Sequence, residues 1–563
     1  MVMSKRTERY NRHCPFTSQR SSYTNTTGAP SWKRDGGIFY PKLHAPLLTP
    51  CSPQFIHDMM QDEEVSIVEK KALRFLFDVG SYPVCDTPVI NWPITNISAQ
   101  DEETLYQNKL LKAATYTNES GYFGYMFTVT EAAKERRRLV HDTLSANVLT
   151  DEPSEMGFTP LPVLRRVVLL GTTCATFDVK CMYYHFLLDD TVSERFYRIK
   201  TPNGMSKFTR LPMGFKWATK IAQAAIRFLC RGIVNVDVQL YIDNIMLSGS
   251  LADVHKARNV LLQRAEHYGF TLGEDSGALA VGTHRGIDFD FTRKTIKLNS
   301  SFVQKFQHRL HVANDTWSDW RALLSSAIYS ATALDIPLWK MFHVLKWMAH
   351  HNATSGSTCL AMWNEAKSQW RDVTSSEIIA NVAIFPPPAV AVVGLITDAA
   401  TESRLGAAII LLPSGTYKSV SFQIPTYHSI NDMEAAALSV ALDRFASHLK
   451  DKHIIYWGDN TSVLYTVTAG HSKSYHVNRW VMIIHSQLRI LRSWITPLFV
   501  RSLDNPADAP SRRATLSGAH KRFLHCAAKY LRMSNGTRTV GGGWILGERA
   551  EDLDNPPAGI CSL

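Results

Sequence analysis

Six acidic residues in this sequence stand where an apolar run stops or a helix begins, and their order suggests two separate sites. Asp178 ends the strand-like run Ala175–Val179, and Asp243 sits in Tyr241-Ile242-Asp243-Asn244, flanked by Leu240 and by Ile245-Met246-Leu247, a β-hairpin with an acid at its tip. These two are 65 residues apart. Further on, Asp398, Glu434, Asp459 and Asp508 follow one another at intervals of 36, 25 and 49 residues. Carboxylates from separate elements are hard ligands that can hold two divalent ions about 3.5–4 Å apart, clamping the attacking and leaving oxygens of an in-line phosphoryl displacement. Taken singly, each Asp is a turn or cap former and Glu434 a solvated helix residue. The ordered sets carry the chemistry.

The elements that must position these acids can be read from the periodicity. From about residue 61 to 300, short apolar runs such as Ala175–Val179 and Val238–Met246 alternate with helical patterns such as Thr219–Arg231, an α+β arrangement. Residues 301–370 lose the strand signal, within a helical thumb or connection taken as 301–390. Trp317, Trp320, Leu324 and Ile328, and past Pro337 also Trp339, Phe342 and Trp347, recur at helical spacing, which reads as a helical module whose tryptophans are core. The Pro386-Pro387-Pro388 run marks a boundary near residue 390, and a second α/β region covers 391–515. There Ala391–Thr397 runs into Asp398, Gly406–Ile410 forms a second strand, Glu434 opens a helix over Met433–Leu442, Ile454–Trp457 leads to Asp459, and Leu498–Arg501 precedes Asp508. Residues 1–60 read as a mostly disordered basic tail and 516–563 as a second basic tail.

Lys and Arg exceed Asp and Glu by 61 to 50, with eight bases against two acids in residues 1–50 and seven against none in 512–540. Such ends bind phosphates or are solvated. Nine cysteines without a C-x-x-C pair indicate neither a zinc module nor a disulfide framework, and hence a reducing compartment. No apolar run approaches 18 residues and the first residues are polar and basic, so the expectation is a soluble, intracellular protein, cytoplasmic or nuclear, with no membrane contact.

Phe177–Leu188, Leu211-Pro212-Met213-Gly214-Phe215-Lys216 and Tyr241–Asn244 resemble, in order and spacing, three core motifs of reverse transcriptases. Asp398, Glu434, Asp459 and Asn505-Pro506-Ala507-Asp508 followed by Ser511-Arg512 resemble the ribonuclease H domain of retroelement polymerases. The resemblance covers about residues 110–515 and extends to LTR-related or DIRS-type retroelements, the trypanosomatid VIPER elements among them. It implies a right-hand polymerase with fingers, palm and helical thumb, followed by a ribonuclease H-like domain with a mixed five-stranded sheet. It implies Mg²⁺, with Mn²⁺ as an alternative, two ions per site, held by Asp178 and Asp243 in one and by Asp398, Glu434, Asp459 and Asp508 in the other. It also implies nucleotide contacts from Arg137, Val179, Tyr183 as sugar gate and Gly214, with Lys134, Lys216 and Gln223 as weaker candidates. The partners implied are an RNA template, a DNA primer, an RNA–DNA hybrid and deoxynucleoside triphosphates.

The sequence also departs from that pattern. Asn244 stands where most of the family has a second aspartate, Met213 replaces a commoner polar residue, Trp217 a small one, and Gly273-Glu274-Asp275-Ser276 lacks a basic residue often found there. The alternative to two active enzymes is therefore a nuclease, or a hybrid-binding protein, whose polymerase site Asn244 has silenced. His471, His476 and His485 read as structural.

Overall fold

The computed structural model describes residues 33–34, 37–38, 41–82, 94–116, 123–131, 135–153, 156–159, 161–164, 167–313, 315–334, 336–374, 382–383, 391–424 and 428–536. They form a mixed α+β fold that divides into two compact units. The first takes in residues 1–154, 181–224 and 268–270, and the second 155–180, 225–267 and 271–563. The stretch expected to be one fingers-and-palm region over 61–300 is thus shared between the two.

The first unit is built on a six-stranded sheet in the order Lys42–His44, Arg136–Asp142, Phe123–Glu131, Arg198–Thr201, Gly204–Phe208 and Leu111–Ala113. The basic run Arg136-Arg137-Arg138 and the strand Phe123–Glu131 pair antiparallel, while residues 132–134, including Lys134, lie outside the described residues. Order begins earlier than expected. Lys42–His44 pairs parallel with Arg136–Arg138, and Ser52 caps a helix over Pro53–Gln61 that buries Phe55 and Met59, so the segment 41–60 belongs to the fold and not to a tail.

The second unit opens with a four-stranded antiparallel sheet in the order Asp237–Tyr241, Asn244–Gly249, Thr173–Val179 and Leu272–Asp275. A second antiparallel sheet joins Val281–His284, Ile287–Asp290, Thr295–Leu298 and Val382–Ala383. The helices Ser300–Val312, Trp317–Ala333, Phe342–His350 and Asn364–Asp372 follow. Trp317 and Trp347 are fully buried edge to face with ring centroids 5.7 Å apart, and Trp320 meets both Trp347 and Trp370. These rings are core, as their spacing implied.

The last module is a mixed five-stranded sheet in the order Tyr417–Gln423, Leu405–Leu411, Val392–Ala400, His453–Gly458 and Trp494–Phe499. The first three strands pair antiparallel and the last two parallel. Every residue of Val392–Ala400 is buried because helices cover both faces. Ile430–Arg444 and Tyr475–Leu491 pack on one, and a helix over Gly518–Gly536 packs on the other through Leu524, Ala527, Ala528 and Leu531. A strand covered on both sides reads as a continuous apolar run, which Ala391–Thr397 does. The helix corrects the C-terminal boundary, since residues 516–536 are part of this module; residues 537–563 lie outside the described ones. No helix among the described residues is long and apolar enough to cross a membrane.

Leu531 is fully buried against this sheet, with its side chain beside Gly394, so Leu531→Ala removes a core contact in a segment that a tail would leave indifferent to substitution. The expected cost is about 2–5 kcal/mol, read by chemical denaturation of the full chain. A change under about 0.5 kcal/mol, as for a surface position, would show that the helix adds nothing to the core.

Candidate functional sites

Asp398, Glu434 and Asp459 each bring a carboxylate oxygen within 4.8 Å of the others. Each comes from a different element: Asp398 from the central strand, Glu434 from the first turns of the Ile430–Arg444 helix, and Asp459 from the end of the strand paired parallel to the first. Asp508 lines the same cleft of about 220 Å³, together with Glu402, Ser502 and Arg512. All four acids anticipated for this site therefore meet.

The loop carrying Asp508 is fastened to the central strand by the residues that made its sequence recognisable. Buried Asn505 donates from Nδ2 to the Thr397 carbonyl at 3.1 Å and accepts the Ala507 N–H at 3.1 Å. Ser511 donates to Asp398 Oδ2 at 2.5 Å, and Arg512 Nε donates to Asp508 Oδ1 at 2.6 Å while its Nη1 reaches Glu402 at 3.2 Å. Ser502 donates to Asp459 Oδ2 at 2.7 Å. Ser502 and Glu402 carried no sequence signal, because they lie in loops whose return to the site only the fold reveals.

Gathering these charges in a buried place is unfavourable by itself. Burial pushes the Asp398 carboxyl up to about 6, with Asp459 and Asp508 adding to the rise and Ser511 opposing it. Burial, then the charges of Asp398 and Asp459, push Glu434 up to about 9, against one hydrogen bond from the Ala399 N–H. A set of hard oxygen donors that repel one another is matched to a divalent cation, whose charge lets all of them ionise. The residues present fit Mg²⁺ or Mn²⁺.

The other acid pair lies on the first sheet of the second unit. Asp178 pairs in register with Asn244, and the Val179 N–H donates to the Asp243 carbonyl at 2.8 Å, so the two acid-bearing segments are locked at adjacent rungs. Asp243 belongs to a two-residue turn closed by Tyr241 and Asn244, whose first residue, Ile242, has φ of 59°. A β-branched residue in the left-handed region is strained, and such strain is retained where the fold must aim a neighbouring group. Asn244 Nδ2 donates to Asp243 Oδ1 at 2.8 Å, so a neutral amide sits in the turn beside that carboxylate and opposite Asp178. Gly273, which sequence reading noted only for lacking a basic neighbour, packs against Asp178. A Cβ there would stand 3.3 Å from Oδ2.

The four residues anticipated as nucleotide contacts fare differently. Tyr183 is half-exposed on a short 3-10 turn over Met182–His185, between buried Met182 and Tyr184. Gly214 is exposed, yet a Cβ on it would fall 2.1 Å from the His141 carbonyl oxygen, so close packing on the neighbouring strand already demands glycine there. Its carbonyl accepts from Asn147 Nδ2 at 2.8 Å. Val179 has a fully buried side chain and an N–H that donates to the Asp243 carbonyl, so the anticipated contact falls to its backbone carbonyl. Arg137 is a correction. At 5% exposure it forks onto both oxygens of Asp101 at 2.6 Å and donates from Nε to the Pro41 carbonyl at 2.8 Å, which makes it a buried strut. Of the weaker candidates, Lys216 bonds the Thr150 carbonyl and Gln223 is buried.

Two outcomes follow from this geometry. Asp398 and Glu434 titrate above their unfolded values, so the associated stability is complete below about pH 4 and is lost as pH rises through about 6 and about 9. The metal-free chain should therefore unfold more easily at about pH 8.5 than at about pH 5.5, with Mg²⁺ or Mn²⁺ closing the gap. Glu434→Gln should stabilise the metal-free form at the higher pH by on the order of 1 kcal/mol or more and lose the metal response, and a full metal response in that variant would remove Glu434 from the ligand set. Arg137→Ala should cost about 3–5 kcal/mol by stranding Asp101, with Arg137→Met/Asp101→Leu regaining most of it. A change near zero in the single variant would reopen a surface role for Arg137.

No protein-family model matches the chain, and no curated protein matches it. Among solved structures it is similar to a foamy viral protease-reverse transcriptase in complex with double-stranded DNA at 14% identity and a TM-score of 0.47, covering 84% of this chain and 85% of that one. A second complex of that enzyme with double-stranded DNA matches at 15% identity and a TM-score of 0.45, over 81% of this chain and 99% of the other. Its complex with an RNA/DNA hybrid matches at 14% and 0.45, and the chain spans 64% of that protein's length. At TM-scores below 0.5 these likenesses carry no functional assignment of their own.

Proposed function

We propose that this chain is the polymerase and nuclease of a retroelement, an RNA-directed DNA polymerase joined to a ribonuclease H that degrades the RNA strand of RNA–DNA hybrids. The observation that carries the reading is the meeting of Asp398, Glu434, Asp459 and Asp508 in one cleft on a mixed five-stranded sheet, an arrangement suited to cutting a phosphodiester. Asp398, Glu434 and Asp459 would hold the cations, with Asp508 at the rim. When bound, divalent ions there supply charge neutralisation and a polarised water. The chain's own contribution is to fix the carboxylates, through Ser511 on Asp398, Ser502 on Asp459 and the Ala399 N–H on Glu434.

In the polymerase site Asp178 and Asp243 would be the ligands, the primer 3′-hydroxyl the nucleophile and deoxynucleoside triphosphates the substrates. By the resemblance to reverse transcriptases, Tyr183 would be the sugar gate and Gly214 the residue that keeps the backbone open to the nucleotide. Arg137 and the Val179 side chain have no part in it. The element is of the LTR-related or DIRS type, and the enzyme works inside the cell on an RNA template and a DNA primer.

A second reading, a working nuclease beside a silent polymerase, is favoured by one contact. The Asn244 amide occupies Asp243 Oδ1 and withholds a negative charge from the turn. Primer extension on an RNA template, with hybrid cleavage scored in the same reactions, separates the two. Two active enzymes require extension that Asp243→Asn abolishes with cleavage intact, and cleavage that Asp398→Asn lowers by about 10²-fold or more with extension intact. Extension that appears only in Asn244→Asp would establish the silent polymerase. Cleavage unchanged by Asp398→Asn would sink the nuclease assignment.

A further inference from the structure

The Gly518–Gly536 helix has a second face. Between residues 521 and 532 every exposed position is basic: Lys521, Arg522, His525, Lys529 and Arg532. At about 100° per residue these five fall within roughly a 100° arc, centred about 120° around the helix from a seam of Leu524, Ala527, Ala528 and Leu531 buried on the sheet. A helix face that is merely solvated interleaves acids with bases so that residues four apart pair. This one has no acid from residue 512 to 540, and among the described residues none of the five bases makes an ion pair. Arg532 alone has a protein partner there, the Pro413 carbonyl at 3.2 Å.

The stripe is also placed. The helix packs against the Ser502–Asp504 turn, whose Ser502 holds Asp459, and the chain entering it comes directly from Arg512 on the rim of the acid cleft. At its other end Leu531 packs beside Gly394 and Arg532 reaches Pro413, the end of the sheet remote from Asp398. Cations thus lead from the cleft along the module for about 16 Å, at about 1.5 Å per residue. A nucleic-acid strand carries one phosphate every ~3.4 Å of axis, so the stripe spans about five phosphates.

We propose that the basic face of this helix is the surface that binds the sugar–phosphate backbone of the nucleic-acid duplex beyond the scissile position, holding it by charge without reading its sequence. The proposal rests on the nuclease reading of the acid cleft. It predicts that phosphate contacts made here contribute to the salt dependence of hybrid binding, each by a slope of about 0.9 in log K against log salt.

The test compares the full chain with a Lys521→Gln/Arg522→Gln/Lys529→Gln variant, both carrying Asp398→Asn, by fluorescence anisotropy on a labelled RNA–DNA hybrid over a salt series. The expected result is about tenfold or more weaker binding near physiological salt and a slope lower by about 2 to 3, with binding retained in the charge-preserving Lys521→Arg/Arg522→Lys/Lys529→Arg variant. An unchanged slope overturns the proposal. So does a loss confined to phosphatidylserine vesicles, which would make the stripe a membrane contact. The nuclease reading fails separately: cleavage of the hybrid by the chain with Asp398 intact supports it whatever the slope shows, and absent cleavage sinks it even where the slope falls.

Discussion

Three carboxylates within 4.8 Å of one another repel, and the C-terminal module is organised around holding them there regardless. The cost shows in Asp398 and Glu434, which keep their protons far above the ordinary carboxylate range. A flexible frame would relieve that repulsion by letting the acids drift apart. This one has a central strand paired on both sides and covered on both faces, a loop tied back to it by Asn505, and serine hydroxyls that fix two of the three carboxylates. Apolar burial is the term large enough to support such a place, so the cores on the two faces of the sheet bear directly on its chemistry.

The sheet of Asp178 and Asp243 handles charge differently. Its acids occupy adjacent rungs of one ladder, and the residue facing Asp178 is a neutral amide that bonds Asp243. Repulsion is diluted by composition here, where the other site confines it by packing. The left-handed backbone of Ile242 is strain stored next to the aspartate it presents. One chain therefore uses two solutions to the same electrostatic problem.

Much of this was legible in the residues. The acids fall where apolar runs end, and those runs became the strands Thr173–Val179, Val392–Ala400 and His453–Gly458. In the motif Asn505 to Arg512, which stood out by its resemblance, Asn505 and Ser511 bond the central strand and Arg512 bonds Asp508. What sequence could not show was the facing of a strand. In Arg136-Arg137-Arg138 three identical charges alternate in and out, and only the partner Asp101, 36 residues away, makes the middle one internal. Gly214 was singled out for its approach to a nucleotide, whereas the pressure visible on it is the His141 carbonyl, which no spacing reveals. The C-terminal helix was a missed signal of another kind. Leu524, Ala527, Ala528 and Leu531 stand at i, i+3, i+4 and i+7, a pattern obscured by the surrounding bases.

That helix also sets an order of events during synthesis. Val392, Ile396, Ile409 and Leu411 present their face of the sheet long before Leu524 to Leu531 leave the ribosome to cover it. More than a hundred residues of elongation separate Leu411 from Leu524, and throughout them the strands already made keep one bare apolar side. The acid cleft can reach its final rigidity only after release of the segment that closes the core, so a pause, a premature stop or a fused partner near that point acts on the cleft through folding, without touching any residue that lines it.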